Sequence, residues 1–453
     1  MIEKEKDHMT EFSGFELAPS ILRAVADEGY TTPTPIQIKS IPSLIEGRDL
    51  LGVAQTGTGK TAAFALPLLN RLGKEPGKPD HRRPRALILA PTRELAGQIH
   101  DSLRTYGRYL GLRCGVVFGG VSIRPQIKMM SQGVHILVAT PGRLLDLMNQ
   151  GHVMLENVEV FILDEADRML DMGFIPDVKR IVKNLSSRRQ TVMFSATMPK
   201  TIEGLAGTLL QDPVQVEVAP TATTVEKVEQ RVLFVEKGKK RALIGELMND
   251  EAIKRVLIFT RTKHGADRVA KHLQSHGIET DAIHGNKAQN ARQRALDAFR
   301  NGEIRALVAT DIAARGIDVD GVTHVINFEL PNDPESYVHR IGRTARAGAA
   351  GIAISFCDLE ERAYLKDIEK TIRQSVPVFE DHPYHSVEIA NDPGTTKRSP
   401  QKQRGQRYRN PENFHDPRRP SKPSHASHAN SANNQRKSNG GQRSSRRPSG
   451  RAA

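Results

Sequence analysis

Val160-Phe161-Ile162-Leu163-Asp164-Glu165-Ala166-Asp167 decides how this chain is read. Four consecutive apolar residues fit a buried strand, and the acids begin where that strand would end. Earlier, the apolar stretch 49–53 runs into Ala54-Gln55-Thr56-Gly57-Thr58-Gly59-Lys60-Thr61. A loop ending in Gly-Lys-Thr is the phosphate loop of ATPases and GTPases. Its small residues let backbone N–H groups turn in on phosphate oxygens, Lys60 reaches the β/γ-phosphates, and the Thr61 hydroxyl can ligate Mg²⁺. Asp164 supplies a second Mg²⁺ partner from a strand tip, and Glu165 beside it can orient the attacking water. Gly/Thr-rich turns and acidic strand ends are each common as plain structure. Both together, in order and each behind a strand, point to a nucleotide hydrolase.

At 453 residues the chain exceeds one ordinary domain, and two cores plus a tail is the natural division. Cys114 and Cys357 lie far apart without metal-ligand spacing, which fits a reduced compartment. The opening Met1-Ile2-Glu3-Lys4-Glu5-Lys6-Asp7 is charged and does not read as a secretory signal. No apolar run reaches the roughly 20 residues that span a bilayer, so no membrane role and a cytoplasmic location are expected. The net charge of +14 is concentrated. From 393 to 453 there are 15 Lys+Arg against Glu412 and Asp416, leaving the remainder nearly neutral.

Short β-branched runs alternate with helical patterns, as in parallel sheets built of βαβ units. Strands are expected at 50–54, 86–90, 115–118, 136–139, 160–163 and 191–194, with helices at 103–110 and 178–185. Ala219-Pro220-Thr221-Ala222-Thr223-Thr224 reads as a linker. The rhythm then restarts at 231–235, 255–260, 280–283, 305–309, 324–328 and 351–356. After Ile389 there is no Leu, Ile, Val or Met, so no core can form and the tail is expected to be disordered. Its one-signed charge, with Tyr408 and Phe414 to stack on bases, suits an electrostatic tether for nucleic acid.

The second half lacks a phosphate loop but contains Tyr337-Val338-His339-Arg340-Ile341-Gly342-Arg343-Thr344-Ala345-Arg346. If this segment is helical, His339, Arg343 and Arg346 share one face. The guanidinium groups on that face can then reach a γ-phosphate across a cleft, as arginine fingers do. A surface helix with ordinary ion pairs is the plain alternative.

With these residues in hand, the chain from about Phe12 to about Pro377 resembles the DEAD-box RNA helicases, and in its phrases at 259–267 and 283–287 the bacterial RhlE-type subgroup. Phe12 and Gly29-Tyr30-Thr31-Thr32-Pro33-Thr34-Pro35-Ile36-Gln37 resemble the upstream aromatic and the adenine-reading Q motif. Residues 54–61 resemble motif I, and Ser195-Ala196-Thr197 motif III. Pro91-Thr92-Arg93-Glu94-Leu95-Ala96, Gly119-Gly120 and Thr140-Pro141-Gly142-Arg143 resemble the first-domain RNA contacts. Arg261, Gln289 with Arg292, and Thr310 through Asp318 fall in segments resembling motifs IV, IVa and V. The arginine segment resembles motif VI, with Ala345 where many members have Gly, a change expected to cost one methyl group.

The resemblance implies an α/β fold of two tandem RecA-like parallel-sheet domains with a disordered basic C-terminal tail. The divisions expected are a Q-motif region at 10–38, an ATP-binding domain at 39–219, a linker at 220–225, a second domain at 226–386 and the tail at 387–453. It implies an RNA-dependent ATPase using ATP and Mg²⁺, with Thr61 and Asp164 on the metal. Lys60, Asp164, Glu165, Arg343 and Arg346 are the expected catalytic set. Phe12, Gln37, the loop 54–61 and Asp318 are expected to hold nucleotide, and Ser195, Thr197, Asp167 and His339 to couple the two domains. Pro91, Thr92, Arg93, Gly119, Gly120, Thr140, Pro141, Gly142, Arg143, Arg261 and Thr310 are the expected RNA contacts. These groups grasp backbone rather than bases, so sequence preference is expected to be weak. An ATP-gated RNA clamp or assembly scaffold uses the same motifs and stands as the alternative. A DNA translocase fits the Gln37 and 164–167 wording poorly. Ribonucleoprotein or RNA-decay partners are common settings for the family.

Overall fold

The computed structural model describes residues 11–393 apart from 56, 219–227, 315–318, 320 and 346–350. The expected linker, Thr56, Asp318, Arg346 and the basic tail beyond 393 lie outside the described residues. Two parallel sheets organise what remains. The first is built from β1 (Leu50–Val53), β2 (Ala86–Leu89), β3 (Cys114–Val117), β4 (Ile136–Ala139), β5 (Val160–Leu163), β6 (Gln190–Ser195) and β7 (Val214–Glu217), in the order β3-β4-β2-β5-β6-β1-β7. The second is built from β8 (Val228–Phe234), β9 (Val256–Thr260), β10 (Thr280–Ile283), β11 (Ala306–Thr310), β12 (His324–Asn327) and β13 (Gly351–Cys357), in the order β10-β11-β9-β12-β13-β8.

Burial explains why the strands read as unbroken apolar runs. β2, β4 and β5 are buried at every position, as strands with helices on both faces must be. Successive side chains point to opposite faces, so Ile88 and Ile162 join one core while Leu87 and Phe161 join another on the far side of the same sheet. β7 was not expected. It alternates Val-Gln-Val-Glu at the sheet edge, buries only Val216, and lacks the continuous apolar signal of its neighbours.

Helix limits also moved. The helix expected at 103–110 runs instead from Arg93 to Tyr106, because Thr92 caps it: its Oγ1 accepts from the Leu95 amide at 3.2 Å. The helix expected at 178–185 is Ile175–Val182. In the second lobe the outer edge of β8 is covered by the chain that follows the last long helix. The Val232 amide donates to Pro377 O, the Phe379 amide to Val232 O and the Ser386 amide to Phe234 O. Val387–Asn391 is a short helix capped by Ser386, with Ile389 buried. The tail expected from 387 therefore begins later, since an open strand edge recruits these last apolar residues. No helix among the described residues is long and apolar enough to cross a membrane.

Candidate active site

Parallel strands aim all their C-terminal ends one way, and the loops that leave those ends carry the expected chemistry. Beyond β1, Gly59 has φ of 91° and caps the Lys60–Lys74 helix. A Cβ there would lie 2.6 Å from Gln37 Nε2, so both conformation and contact require glycine. Lys60, 6% exposed, donates from Nζ to Ala54 O at 2.9 Å, and Thr58 Oγ1 donates to Gln55 O at 2.8 Å. The loop is thus curled around its own lysine. Thr61 is the next residue of the helix. Gln37 is tied in twice: Oε1 accepts from the Thr34 amide at 2.8 Å and Nε2 donates to Gly59 O at 3.1 Å. Each of these atoms retains a second hydrogen-bonding capacity. Phe12 is 5% exposed and packs edge-on against Phe15 within the first core.

The acids at the tip of β5 are nearly sealed. Asp164 is 2% and Glu165 3% exposed. Burial pushes the Asp164 carboxyl up to about 6, with Lys60 pulling it back and Glu165 adding to the rise. Glu165 adopts φ 51°, ψ 54°, a left-handed conformation that costs a non-glycine residue about 1–3 kcal/mol and clusters at functional sites. Asp167 closes the arrangement on the end of β6. Its Oδ2 accepts from the Ala196 and Thr197 amides at 3.2 and 3.0 Å and from Thr197 Oγ1 at 3.2 Å. Its own amide donates to Ser195 Oγ. The acidic run and Ser195-Ala196-Thr197 are therefore tied together by four hydrogen bonds.

In the second lobe the arginine segment is not one helix. The helix is Pro334–Ile341, ending at Gly342. Arg343 stands in the turn beyond, its Nε donating back to His339 O at 3.2 Å, so His339 and Arg343 do not share the helical face expected of them. Ala345 has φ of 55°. That left-handed conformation favours glycine, so alanine there carries backbone strain besides the one methyl group expected.

Arg343 is 5% exposed and lies within electrostatic reach of Arg168 and Glu165 of the first lobe. Desolvation, then the Arg168 charge, depress it to about 9 against the pull of Glu165. Arg340, which the motif reading passed over, is buried and fully engaged. Nε and Nη2 form a bidentate pair with Asp311 at 2.6 and 2.7 Å, and Nη1 donates to Asn327 Oδ1 and Glu329 O. It also stacks over Phe259 at 5.0 Å. One guanidinium thus joins the ends of β9, β11 and β12, and with them Thr310, to the helix that carries His339.

The lobes meet again on the other expected surface. Arg93 Nη1 donates to Gln289 Oε1 at 3.2 Å, Gln289 Nε2 donates to Glu94 Oε1 at 3.0 Å, and Arg292 pairs with Glu94 at 2.9 Å. Glu94 belongs to the quoted 91–96 stretch, but no role of its own is expected there. Gly120, φ 77°, lies flat under Arg93, where a Cβ would fall 1.9 Å from Nη1. Arg143 donates to Val121 O at 3.1 Å. Burial and the neighbouring charge of Arg292 hold Arg93 below its usual pKa, with Glu94 opposing and Arg143 adding a smaller push. Guanidiniums crowded this way favour an anion between them. Pro91 and Thr92 lead into the Arg93 helix, and Thr140, Pro141 and Gly142 start the helix that holds Arg143.

Arg261, at the end of β9, rests on a buried ionic cluster. Its Nη2 pairs with Glu361 Oε1 at 3.2 Å, and its amide donates to Glu329 Oε2 at 2.8 Å. Glu361 is in turn held by Lys240, which also pairs with Asp358 at 3.0 Å. Desolvation works against the Lys240 ammonium, but the two carboxylates outweigh it and hold its pKa above the usual value. In Glu361 burial pushes upward against the pull of Lys240.

Comparison with known proteins agrees with this fold. The DEAD/DEAH box helicase model matches residues 34–205, and the helicase conserved C-terminal domain model matches 238–348. The DEAD-box ATP-dependent RNA helicase CshA of Bacillus cereus (strain ATCC 10987 / NRS 248) is 42% identical over 369 residues, 81% of this chain and 69% of that one. RhpA of Helicobacter pylori (strain B128), also a DEAD-box ATP-dependent RNA helicase, is 40% identical over 379 residues, 84% of this chain and 76% of its own. Among solved structures, S. cerevisiae Dbp5 bound to RNA and ADP BeF3 superposes with a TM-score of 0.70 at 31% identity, covering 81% of this chain and 96% of that one. Two RecA-like lobes, matched by both family models over more than half of the sequence, leave one assignment: the chain belongs to the DEAD-box ATP-dependent RNA helicases.

Proposed function

We propose that this helicase hydrolyses ATP in a site completed only when its lobes close, and that closure on RNA opens short duplexes locally. The observation that carries the reading is Arg343 of the second lobe, buried beside Glu165 and Arg168 of the first. Lys60 and the loop amides take the triphosphate, Glu165 orients the attacking water, and Arg343 meets charge that develops at the γ-phosphate. The donor set fits Mg²⁺. A hydroxyl at Thr61 and the sealed carboxylate of Asp164 are hard oxygen ligands of the number this ion takes when phosphates complete its shell. The ion would neutralise charge between the β- and γ-phosphates.

Gln37 suits adenine through its spare donor and acceptor while bracing the loop. Thr92, Arg93, Gly119, Gly120, Thr140, Arg143, Arg261 and Thr310 suit phosphate oxygens and sugar hydroxyls, which position a strand without reading it. The Arg93–Gln289 and Glu94–Arg292 bonds tie that surface to closure, so RNA and ATP are expected to bind cooperatively. Hydrolysis removes the γ-phosphate that held the lobes together, and RNA is released.

In this reading the basic tail adds affinity without specificity. The RhlE-type wording at 259–267 and 283–287 gives the finer subgroup. A cytoplasmic setting suits the free thiols Cys114 and Cys357.

Glu165→Gln tests the chemistry. The amide keeps the size and loses the charge that orients water, so single-turnover cleavage is expected to collapse while binding of a non-hydrolysable ATP analogue and of RNA persists. Cleavage near the wild-type rate would remove Glu165 from the reaction.

A further inference from the structure

Between the Ala166–Asp171 helix of the first lobe and the Pro334–Ile341 helix of the second lies a cavity of about 360 Å³. That is many times the roughly 10–15 Å³ one water molecule needs. Its inner wall carries Arg168, Arg340 and Arg343, all at most 6% exposed. Its mouth carries Asp171, Asp333 and Glu335, all exposed. Charge therefore changes sign from the inside outward.

The inner arginines differ in how they are satisfied. Arg340 is neutralised by its bidentate pair with Asp311. Arg168 is not matched so well. Its Nη1 stands 3.4 Å from Glu165 Oε2, and neither atom has a hydrogen-bond partner among the described residues. Arg343 bears on Arg168 as a like charge, which lowers its pKa beyond the effect of burial. A sealed guanidinium such as Arg168, with one distant carboxylate and a like charge beside it, is costly unless an anion joins it. While ATP is bound, the γ-phosphoryl group is that anion.

On cleavage the water oxygen bonds to the γ-phosphorus, and the bond to the bridging oxygen breaks with its electron pair left on ADP. The water proton passes to solvent. Inorganic phosphate is then free beside Arg168 and Arg343, with ADP still lying on the phosphate loop side. We infer that this cavity is a binding site and exit passage for inorganic phosphate, letting it leave past Asp333 and Glu335 before the lobes part. The arginines draw the dianion off the nucleotide, and the acidic mouth gives it no place to settle. The inference rests on the hydrolysis reading above, and its test separates the two.

In the full chain with RNA and ATP, rapid quench reads cleavage and a fluorescent phosphate-binding protein reads release. Ser336→Phe narrows the mouth, with Ser336→Ala as its control for the lost hydroxyl bond to Asp333. Glu335→Lys reverses the charge of one rim group on an exposed side chain, so it tests the passage even where Ser336→Phe does not fold. Cleavage is expected to stay near wild type in both. Release is expected to lag cleavage by about tenfold, with the Glu335→Lys lag shrinking as salt rises, because a charged mouth changes local phosphate concentration by that order. Release that keeps pace with cleavage in both variants overturns the passage. Loss of cleavage in the wild-type chain strikes the hydrolysis reading instead.

Discussion

The two lobes share a parallel-sheet plan but hold different charges at their strand ends. In the first, β1 and β5 present a lysine-bearing loop and three acids, Asp164, Glu165 and Asp167, nearly sealed from water. In the second, β9, β11 and β12 present guanidiniums braced by carboxylates: Arg261 on Glu329 and Glu361, Arg340 on Asp311. In the reading proposed above, the first lobe holds and polarises the triphosphate, with Arg168 beside its acids. The second lobe brings Arg343 toward Glu165 from the other side. On that reading the site is complete only when the halves meet, which makes closure itself the switch.

The sharpest way to break this division is Arg343→Ala. If the second lobe's share is catalytic, hydrolysis is expected to fall about 10³-fold or more, the order known for arginine fingers, with ATP affinity nearly kept. Single-turnover cleavage and nucleotide titration on the full chain measure both. A small loss of rate would mean that the first lobe suffices. Arg343 is 5% exposed and its charge is destabilised in place, so stability is expected to hold or rise.

What was legible in the sequence follows the same division. The first lobe's chemistry is local: an apolar run ends and Asp164 or Gly57 begins, so strand and site announce each other within eight residues. Much of the second lobe's organisation is not local. Arg340 meets Asp311 across 29 positions, and Gln289 meets Glu94 across 195. No periodicity marks such pairs, and Glu94 reads as an ordinary first-turn helix acid. The end of the helix at Ile341 was equally hidden, because 337–346 continues an acceptable helical pattern. Gly342 leaves the helix through its ψ of 6° and Ala345 through its φ of 55°.

A second test asks how far the second lobe's guanidiniums depend on their carboxylates. Lys240→Met leaves Glu361 and Asp358 buried without their cation. Removing one partner of such a cluster costs about 3–5 kcal/mol, read as a lowered unfolding midpoint. The loss has a pH sign. Burial already raises Glu361, and without Lys240 it rises further. The folded state then holds a proton more tightly than the unfolded one, and stability lost at neutral pH returns as pH falls. A deficit independent of pH would mean that the carboxylates found another partner. Through Arg261, RNA affinity is expected to drop more than ATP affinity.

The smallest effect tests the turn that presents Arg343. Ala345 sits at φ 55°, next to the core that contains Tyr337 and Ile341. A left-handed conformation costs an L-residue about 1–2 kcal/mol, and Ala345→Gly removes that cost. Two terms oppose the gain: glycine loses more chain entropy on folding, about 0.5–1 kcal/mol, and the partly buried methyl is lost. The expected net is a stabilisation of only about 0.5 kcal/mol, or a few degrees at most in the unfolding midpoint of the lobe. Its sign matters more than its size. A gain with unchanged ATPase activity means that the turn's shape is set by its surroundings and that alanine only strains it. A loss means that the methyl packs well enough to repay its backbone, and the turn before Arg346 would then owe its geometry to the side chain rather than to the chain's freedom.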